Sequence, residues 1–326
     1  MGGAMVLSVA GVNVKFTGFL DDGFREVFLG TFARRYLPDV FPSEDASDII
    51  LERFKGDSFR VFSAIYDHNG VDSYKIESPV PSAYGNEAPV FFLLQAVARA
   101  GAKKGRFIIT DSVSVVLPSG KAVLFVGYPH TGKSTISAIA LGGDLPVLST
   151  ENTVLELRQE KLFVVGGTDV LVYDPGVEGI YGIKIPYDDV TKSGYRIADL
   201  RGDSTRRALL RGGVEVETIV VLHAAFNCSQ ASFATIRGRK IKKTLWYFAT
   251  ALLKGLDYYE PLPLHMPMSE EISDNLREFL KVASESYSGR MYEAFGNHRA
   301  IFESVVEGSL QKEENTENQS PNFSSM

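Results

Sequence analysis

The segment Gly127-Tyr128-Pro129-His130-Thr131-Gly132-Lys133-Ser134-Thr135 constrains this chain more than any other stretch. It meets the pattern G-x-x-x-x-G-K-[ST] at every fixed position. An apolar run, Ala122 to Val126, leads straight into it, and a small-residue helix containing Ser137, Ala138 and Ala140 leads out. Strand, glycine loop and helix in that order are the context a phosphate-binding loop requires. Gly127 and Gly132 let the backbone curl so that successive amide N–H groups converge as an anion nest. The helix beginning at Lys133 adds the positive end of its dipole. In this geometry the Lys133 ammonium reaches the β- and γ-phosphates of a nucleotide, and the Ser134 hydroxyl is placed to ligate Mg²⁺. His130, Thr131 and Thr135 contribute backbone amides. ATP with Mg²⁺ is the expected ligand pair, although the motif does not itself distinguish ATP from another nucleotide.

A nucleotide held this way needs a carboxylate at the end of a neighbouring strand. Glu151 follows the apolar run Leu145 to Leu148, so it stands beyond the carboxyl end of a strand, where ligands of open α/β sheets sit. It is expected to hold the metal through water or to act as a base, with Asn152 reaching phosphate or metal-bound water. Asp144, in Gly142-Gly143-Asp144, reads as ordinary turn chemistry.

The rest of the chain supports an α/β reading with a smaller α+β region in front. Val6 to Phe16 alternates as a strand, Phe24 to Tyr36 has helical spacing, and Ile49–Phe54, Phe59–Tyr66 and Ser73–Ile76 read as short strands. Pro89 to Ala100 is an apolar helix begun by proline and stopped at Gly101. A basic connector, Gly101 to Arg106, suggests a boundary between an N-terminal domain, 1–104, and a second domain, 105–308. Beyond the loop, Pro118-Ser119-Gly120 is a hairpin turn, and Thr153–Leu157 pairs with Lys161–Val165. Strands follow at Thr218–Leu222 and Ala231–Ile236, then helices at Thr244–Leu256, Asp274–Glu285 and Met291–Val306. Residues 309–326 are polar and poor in core formers, the composition of a disordered tail.

Composition narrows the function classes. A net charge of −6 argues against nucleic-acid and anionic-membrane partners. No apolar run nears the ~20 residues of a membrane span. The start of the chain lacks a signal-peptide pattern, which points to the cytoplasm. Cys228 is the single cysteine, expected buried beside a strand, so no internal disulfide forms.

Together, the hairpin at 118–120, the loop, the strand ending at Leu148 and the acidic turn Glu151-Asn152 resemble the HPr kinase and phosphoenolpyruvate-carboxykinase-like group of P-loop proteins, especially HPr-kinase-related members. The resemblance covers roughly Phe107 to Leu256 and is specific over Asp111 to Val154. It implies a P-loop core with a mixed sheet, a kinase activity and self-association. The group's paired aspartates fall on Glu151 and Asn152, and its upstream histidine falls near Asp111, which joins Lys133 and Glu151 as a candidate catalytic residue. Arginines between Arg196 and Arg211, and a basic run from Arg237 to Lys243, offer either phosphate contacts or solvated surface. Asp174 to Gly182 reads either as a flexible loop that closes over substrate or as a plain surface loop. His68, His223, His265 and His298 show no metal-ligand spacing. Three activities fit these residues: transfer of the γ-phosphoryl group to a hydroxyl of a small molecule or protein, an NTPase switch, and a nucleotide sensor with weak catalysis.

Overall fold

The computed structural model describes residues 4–255 and 264–310. The proposed tail therefore lies almost wholly outside the described residues, as does Leu256. The chain opens with β1 (Met5–Val9) and β2 (Val12–Gly18), a hairpin where a single strand is expected. Ala10 and Gly11 both take positive φ, 53° and 75°, the pairing that a tight two-residue turn demands. Helix α1 (Asp22–Leu29) is capped by Asp21, which accepts from the Phe24 amide, and α2 (Thr31–Arg34) follows after a break at the extended Gly30. The remaining N-terminal elements are β3 (Phe41–Pro42), β4 (Ile49–Lys55), β5 (Arg60–His68), β6 (Val71–Ser78) and α3 (Ala88–Lys103). The six strands run β3-β1-β2-β4-β6-β5, with β2, β4 and β6 mutually parallel. Helix α3 passes through Gly101 instead of stopping there. A Cβ at that position would stand 3.2 Å from the Arg106 carbonyl oxygen, so the glycine serves close packing and not termination.

The second half runs β7 (Arg106–Ile109), β8 (Ser112–Val116), β9 (Ala122–Val126), α4 (Lys133–Gly142), β10 (Val147–Ser149), β11 (Thr153–Arg158) and β12 (Lys161–Gly167). A small sheet, β13 (Val170–Tyr173), β14 (Asp189–Val190) and β15 (Arg196–Asp199), encloses α5 (Gly176–Tyr181). Then come α6 (Ser204–Gly212), β16 (Val214–Ala224), β17 (Ala231–Thr235), α7 (Arg239–Lys254), α8 (Glu270–Ser286), β18 (Met291–Gly296) and α9 (His298–Val306). The large sheet is ordered β10-β8-β9-β16-β12-β11-β7, and β18 joins the later part of β16 and carries β17. It is mixed, as expected: β16 is parallel to β9 and to β18, and the other pairs are antiparallel.

Strand β9 explains its unbroken apolar run. Leu124 and Val126 face a core shared with α3, α7, α8 and the N-terminal sheet, while Val123 and Phe125 face a second core with α4, α5 and α9. Two further sequence expectations need correction. Met291–Gly296 is a strand, because its residues pair in parallel with β16 and bury Met291, Tyr292 and Ala294; the helix starts only after Asn297, whose side chain accepts from the Arg299 and Ala300 amides. Asp174–Gly182 is not an open loop. It contains α5, and the Tyr173 hydroxyl donates to Glu178 at 2.9 Å.

Candidate functional site

The chain leaves β9 at Gly127 into a crowded corner. The Gly127 amide donates to the Asp111 carbonyl at 3.1 Å. A Cβ on Gly127 would lie 2.4 Å from Thr131 Oγ1, so only glycine fits the approach. His130 and Gly132 take positive φ, 64° and 99°, which turns the backbone before α4 begins at Lys133. Thr131 Oγ1 donates to the Tyr128 carbonyl at 2.7 Å, and the Thr131 carbonyl accepts from Ala224 at the end of β16. Tyr128 meets Tyr247 of α7 edge to face at 5.4 Å. Lys133 is buried. Its ammonium donates to the Gly127 and Tyr128 carbonyls at 2.8 and 2.9 Å and pairs with Asp111 Oδ1 at 3.2 Å. Ser134 and Thr135 occupy the first turn of α4.

Two acid-bearing turns face this lysine. Asp111 lies between β7 and β8 at a φ of 53°, and the neighbouring Ser112 amide donates to the Glu151 carbonyl at 2.9 Å, which ties the turns together. Burial raises the pKa of Asp111 against the pull of Lys133. Burial likewise raises that of Glu151, opposed by the charges of Lys133 and Arg35 and reinforced by Asp111. The Glu151 turn is rigid for a local reason: Thr168 Oγ1 accepts from the amides of Thr150, Glu151 and Asn152 at 3.2, 2.8 and 3.1 Å. A chain of buried hydroxyls, Ser114–Ser149–Thr153–Ser112, links β8, β10 and β11, with oxygen separations of 2.8, 2.5 and 2.7 Å. Lys133, Asp111 and Glu151, chosen from sequence, are thus brought together.

Other candidates go elsewhere. The Asn152 side chain donates to the Tyr36 carbonyl at 2.8 Å, which fastens its amide group to the N-terminal half. Asp144 is exposed in the turn after α4. In the arginine-rich stretch, Arg206 is buried and donates to the Leu148 and Gly167 carbonyls at 2.9 and 2.7 Å; Arg201 donates to the Val40 carbonyl, and Arg196 pairs with Glu178. In the basic run, Arg239 to Lys243 form the first turns of α7, where Lys240 pairs with Glu293 at 2.8 Å. Cys228 is exposed in the connection from β16 to β17, not buried.

Sequence reasoning missed two residues. His298 opens α9, shares a hydrogen bond with the Tyr181 hydroxyl at 3.0 Å, and sits against Gly132. Burial lowers its pKa to about 4, so the ring is neutral. Arg35, at the end of α2, places its charge on Glu151. Neither belongs to a local pattern. Among the described residues no group of three or more His, Cys, Asp or Glu is assembled as a metal site. No helix among the described residues is long and apolar enough to cross a membrane.

No protein-family model matches this sequence, and no curated protein matches it. Among solved structures, the chain is similar to the HPr(Ser) kinase/phosphatase from Coxiella burnetii, with 12% identity over 63% of this chain and 98% of that one, at a TM-score of 0.26. A superposition of that quality carries no argument about activity.

Proposed function

We propose that the chain is an ATP-dependent, Mg²⁺-assisted kinase, similar to the HPr-kinase-related group, that transfers the γ-phosphoryl group to a hydroxyl of a small molecule or protein. The observation that supports it is the meeting of Lys133, Asp111 and Glu151 at the turn from β9 to α4. The Lys133 ammonium is at present held by two loop carbonyls and one carboxylate, and the oxygens of a bound phosphate would take over as its partners. The backbone amides of Gly127 and of His130 to Thr135 would line the phosphates. Ser134 would hold Mg²⁺, which would supply charge neutralisation on the phosphates.

The reaction assigns each group a task. Glu151, whose acidity burial weakens, takes the proton of the acceptor hydroxyl as its oxygen attacks the γ-phosphorus. The bond from that phosphorus to the bridging oxygen breaks, and ADP leaves. Lys133 stabilises charge on the transferring group, and Asp111 fixes Lys133. The test is transfer of γ-labelled phosphate from ATP into a cell extract separated into protein and small-molecule fractions, with Lys133→Ala as the blank. Label in one fraction that depends on Lys133 supports the kinase and says which acceptor to purify. Label released only as free phosphate, or none released, refutes transfer and leaves an NTPase switch or a nucleotide sensor.

A further inference from the structure

The basic run that the phosphate site does not use lies at the start of α7. Five of the seven residues from Arg237 to Lys243 are basic and none is acidic, in a chain whose net charge is −6. Ile241, Leu245 and Phe248 are buried and hold one side of the helix to the core, which leaves Arg239, Lys242, Lys243 and Trp246 exposed on the other. Lys240 pairs with Glu293 at 2.8 Å, whereas Arg239, Lys242 and Lys243 have no ion-pair partner among the described residues. These charges work against the helix that carries them. The first turn of α7 holds no acidic residue and Gly238 offers no side-chain cap, so the helix dipole disfavours the cations gathered there.

The same side chains line a groove of about 610 Å³ between α7 and α8, where Arg239, Lys240, Lys242 and Lys243 surround Trp246 and Leu280. Tryptophan and arginine at an apolar floor are the groups that carry binding energy between proteins. From Arg239 to Trp246 the helix rises ~10 Å, the length of three or four extended residues. A longer polyanion, such as a nucleic-acid strand or a membrane surface, would extend past the groove over an acidic chain. Glu293 stands beside Lys240, and α8 carries Asp274 and Glu278 exposed. The helix also reaches the phosphate loop, because Tyr247, next to Trp246, meets Tyr128 edge to face at 5.4 Å. We propose that the groove between α7 and α8 docks a short acidic segment of a protein acceptor, in which carboxylates flank one apolar side chain. The carboxylates pair with Arg239, Lys242 and Lys243, and the apolar side chain covers Trp246. That the docked protein is the acceptor rests on the kinase reading above; that the groove takes an acidic segment does not.

The experiment follows the fluorescence anisotropy of a labelled Glu-Glu-Phe-Glu-Glu peptide on the full chain, with a Gln-Gln-Phe-Gln-Gln peptide as control. It compares wild type, Trp246→Ala and the double variant Lys242→Glu/Lys243→Glu, with melting temperatures alongside. The glutamate peptide should bind wild type roughly tenfold or more tighter than the glutamine peptide, and the double variant should lose that preference. Trp246→Ala should weaken the glutamate peptide by about tenfold. A Lys-Lys-Phe-Lys-Lys peptide should bind the double variant better than wild type, a reversal that a damaged fold does not produce. If the double variant does not fold, Trp246→Ala and the salt dependence of wild-type binding decide. Equal binding of the glutamate and glutamine peptides, or of neither, overturns the proposal. So does tighter binding of a single-stranded oligonucleotide or of phosphatidylserine vesicles than of the peptide. A wild-type dimer that the double variant turns into a monomer also overturns it, because a second copy then fills the groove. With the peptide bound as expected, saturating peptide should cut transfer of γ-labelled phosphate into the protein fraction of the extract severalfold. Label confined to the small-molecule fraction, or transfer undiminished by peptide, overturns the acceptor assignment. No transfer into any fraction without peptide refutes the kinase reading and leaves the peptide result standing.

Discussion

Replacing Gly132 by alanine tests whether the loop geometry and the buried His298 are one mechanical unit. Gly132 has a φ of 99°, a conformation that an L side chain occupies at a cost of ~1–3 kcal/mol. A Cβ built there would stand 2.4 Å from His298 Nε2, 2.5 Å from His298 Cδ2 and 3.0 Å from Ala224 Cβ. None of these atoms ends a flexible chain: the imidazole is held by Tyr181 and packs on Phe226 at 4.5 Å. Overpacking in such a site costs ~1–3 kcal/mol, so Gly132→Ala should destabilise by roughly 2–6 kcal/mol in all. The double mutant with His298→Ala separates the two parts. Removing the ring relieves the clash and leaves the backbone cost, so the pair should be less damaging than the sum of the singles by ~1–3 kcal/mol. Equilibrium urea unfolding of the four proteins, followed by the fluorescence of Trp246, gives this coupling directly. A coupling below ~0.5 kcal/mol, the usual additivity error, would refute the contact between α9 and the loop.

The same histidine sets a pH dependence. Its pKa is lowered from 6.5 to about 4, so the fold favours the neutral ring; the stability is fully present above pH 6.5 and is lost as pH falls through 4. The loss is at most about 3 kcal/mol, and the stability difference between wild type and His298→Gln should narrow over that window in urea titrations. Glu151→Gln should lower turnover by ~10²-fold or more while MgATP affinity changes little; unchanged turnover would transfer the role of base to Asp111. Arg206→Ala strands the carbonyls of Leu148 and Gly167 and should cost roughly 2–4 kcal/mol, read as a drop in the urea midpoint without a change in slope.

What the sequence made legible is what is encoded locally. The β9–loop–α4 corner, the turn at 118–120 and the pairing of β11 with β12 all follow from short-range spacing and turn residues, and the structure has them at nearly the expected residues. The strand β18 was not legible. Met291-Tyr292-Glu293-Ala294 carries helix formers, and its strand state is decided by the parallel partner β16, far away in the chain. Arg206 was unreadable as a buried group because mixed charge on a short helix usually means surface; only the carbonyl ends of β10 and β12 explain it. Arg35 and His298 fall into the same class: each acquires its setting from an element in the other half of the chain or at its far end, which no motif records.

The junction between the two halves borders the Glu151 turn. If apolar contact alone joined them, Glu151 would be an ordinary turn acid whose burial depended on loose packing. The junction adds directional polar bonds to the shared apolar core: Arg34 to Asp169 and Asp199, Asn152 to Tyr36, Gly167 to Asp39, and Arg201 to Val40. A second set lies on α3, where Gln95 donates to the Leu252 and Leu264 carbonyls and Arg99 to that of Pro267, at 2.8, 2.9 and 2.8 Å. Each bond fixes a separation and an angle, and a partner left alone in the interior is penalised, so the two halves have one way to meet. Glu151 sits half-buried next to this junction, where the charges of Lys133 and Arg35 act on it. Burial raises the acid's pKa, and the charges of Lys133 and Arg35 restrain the rise.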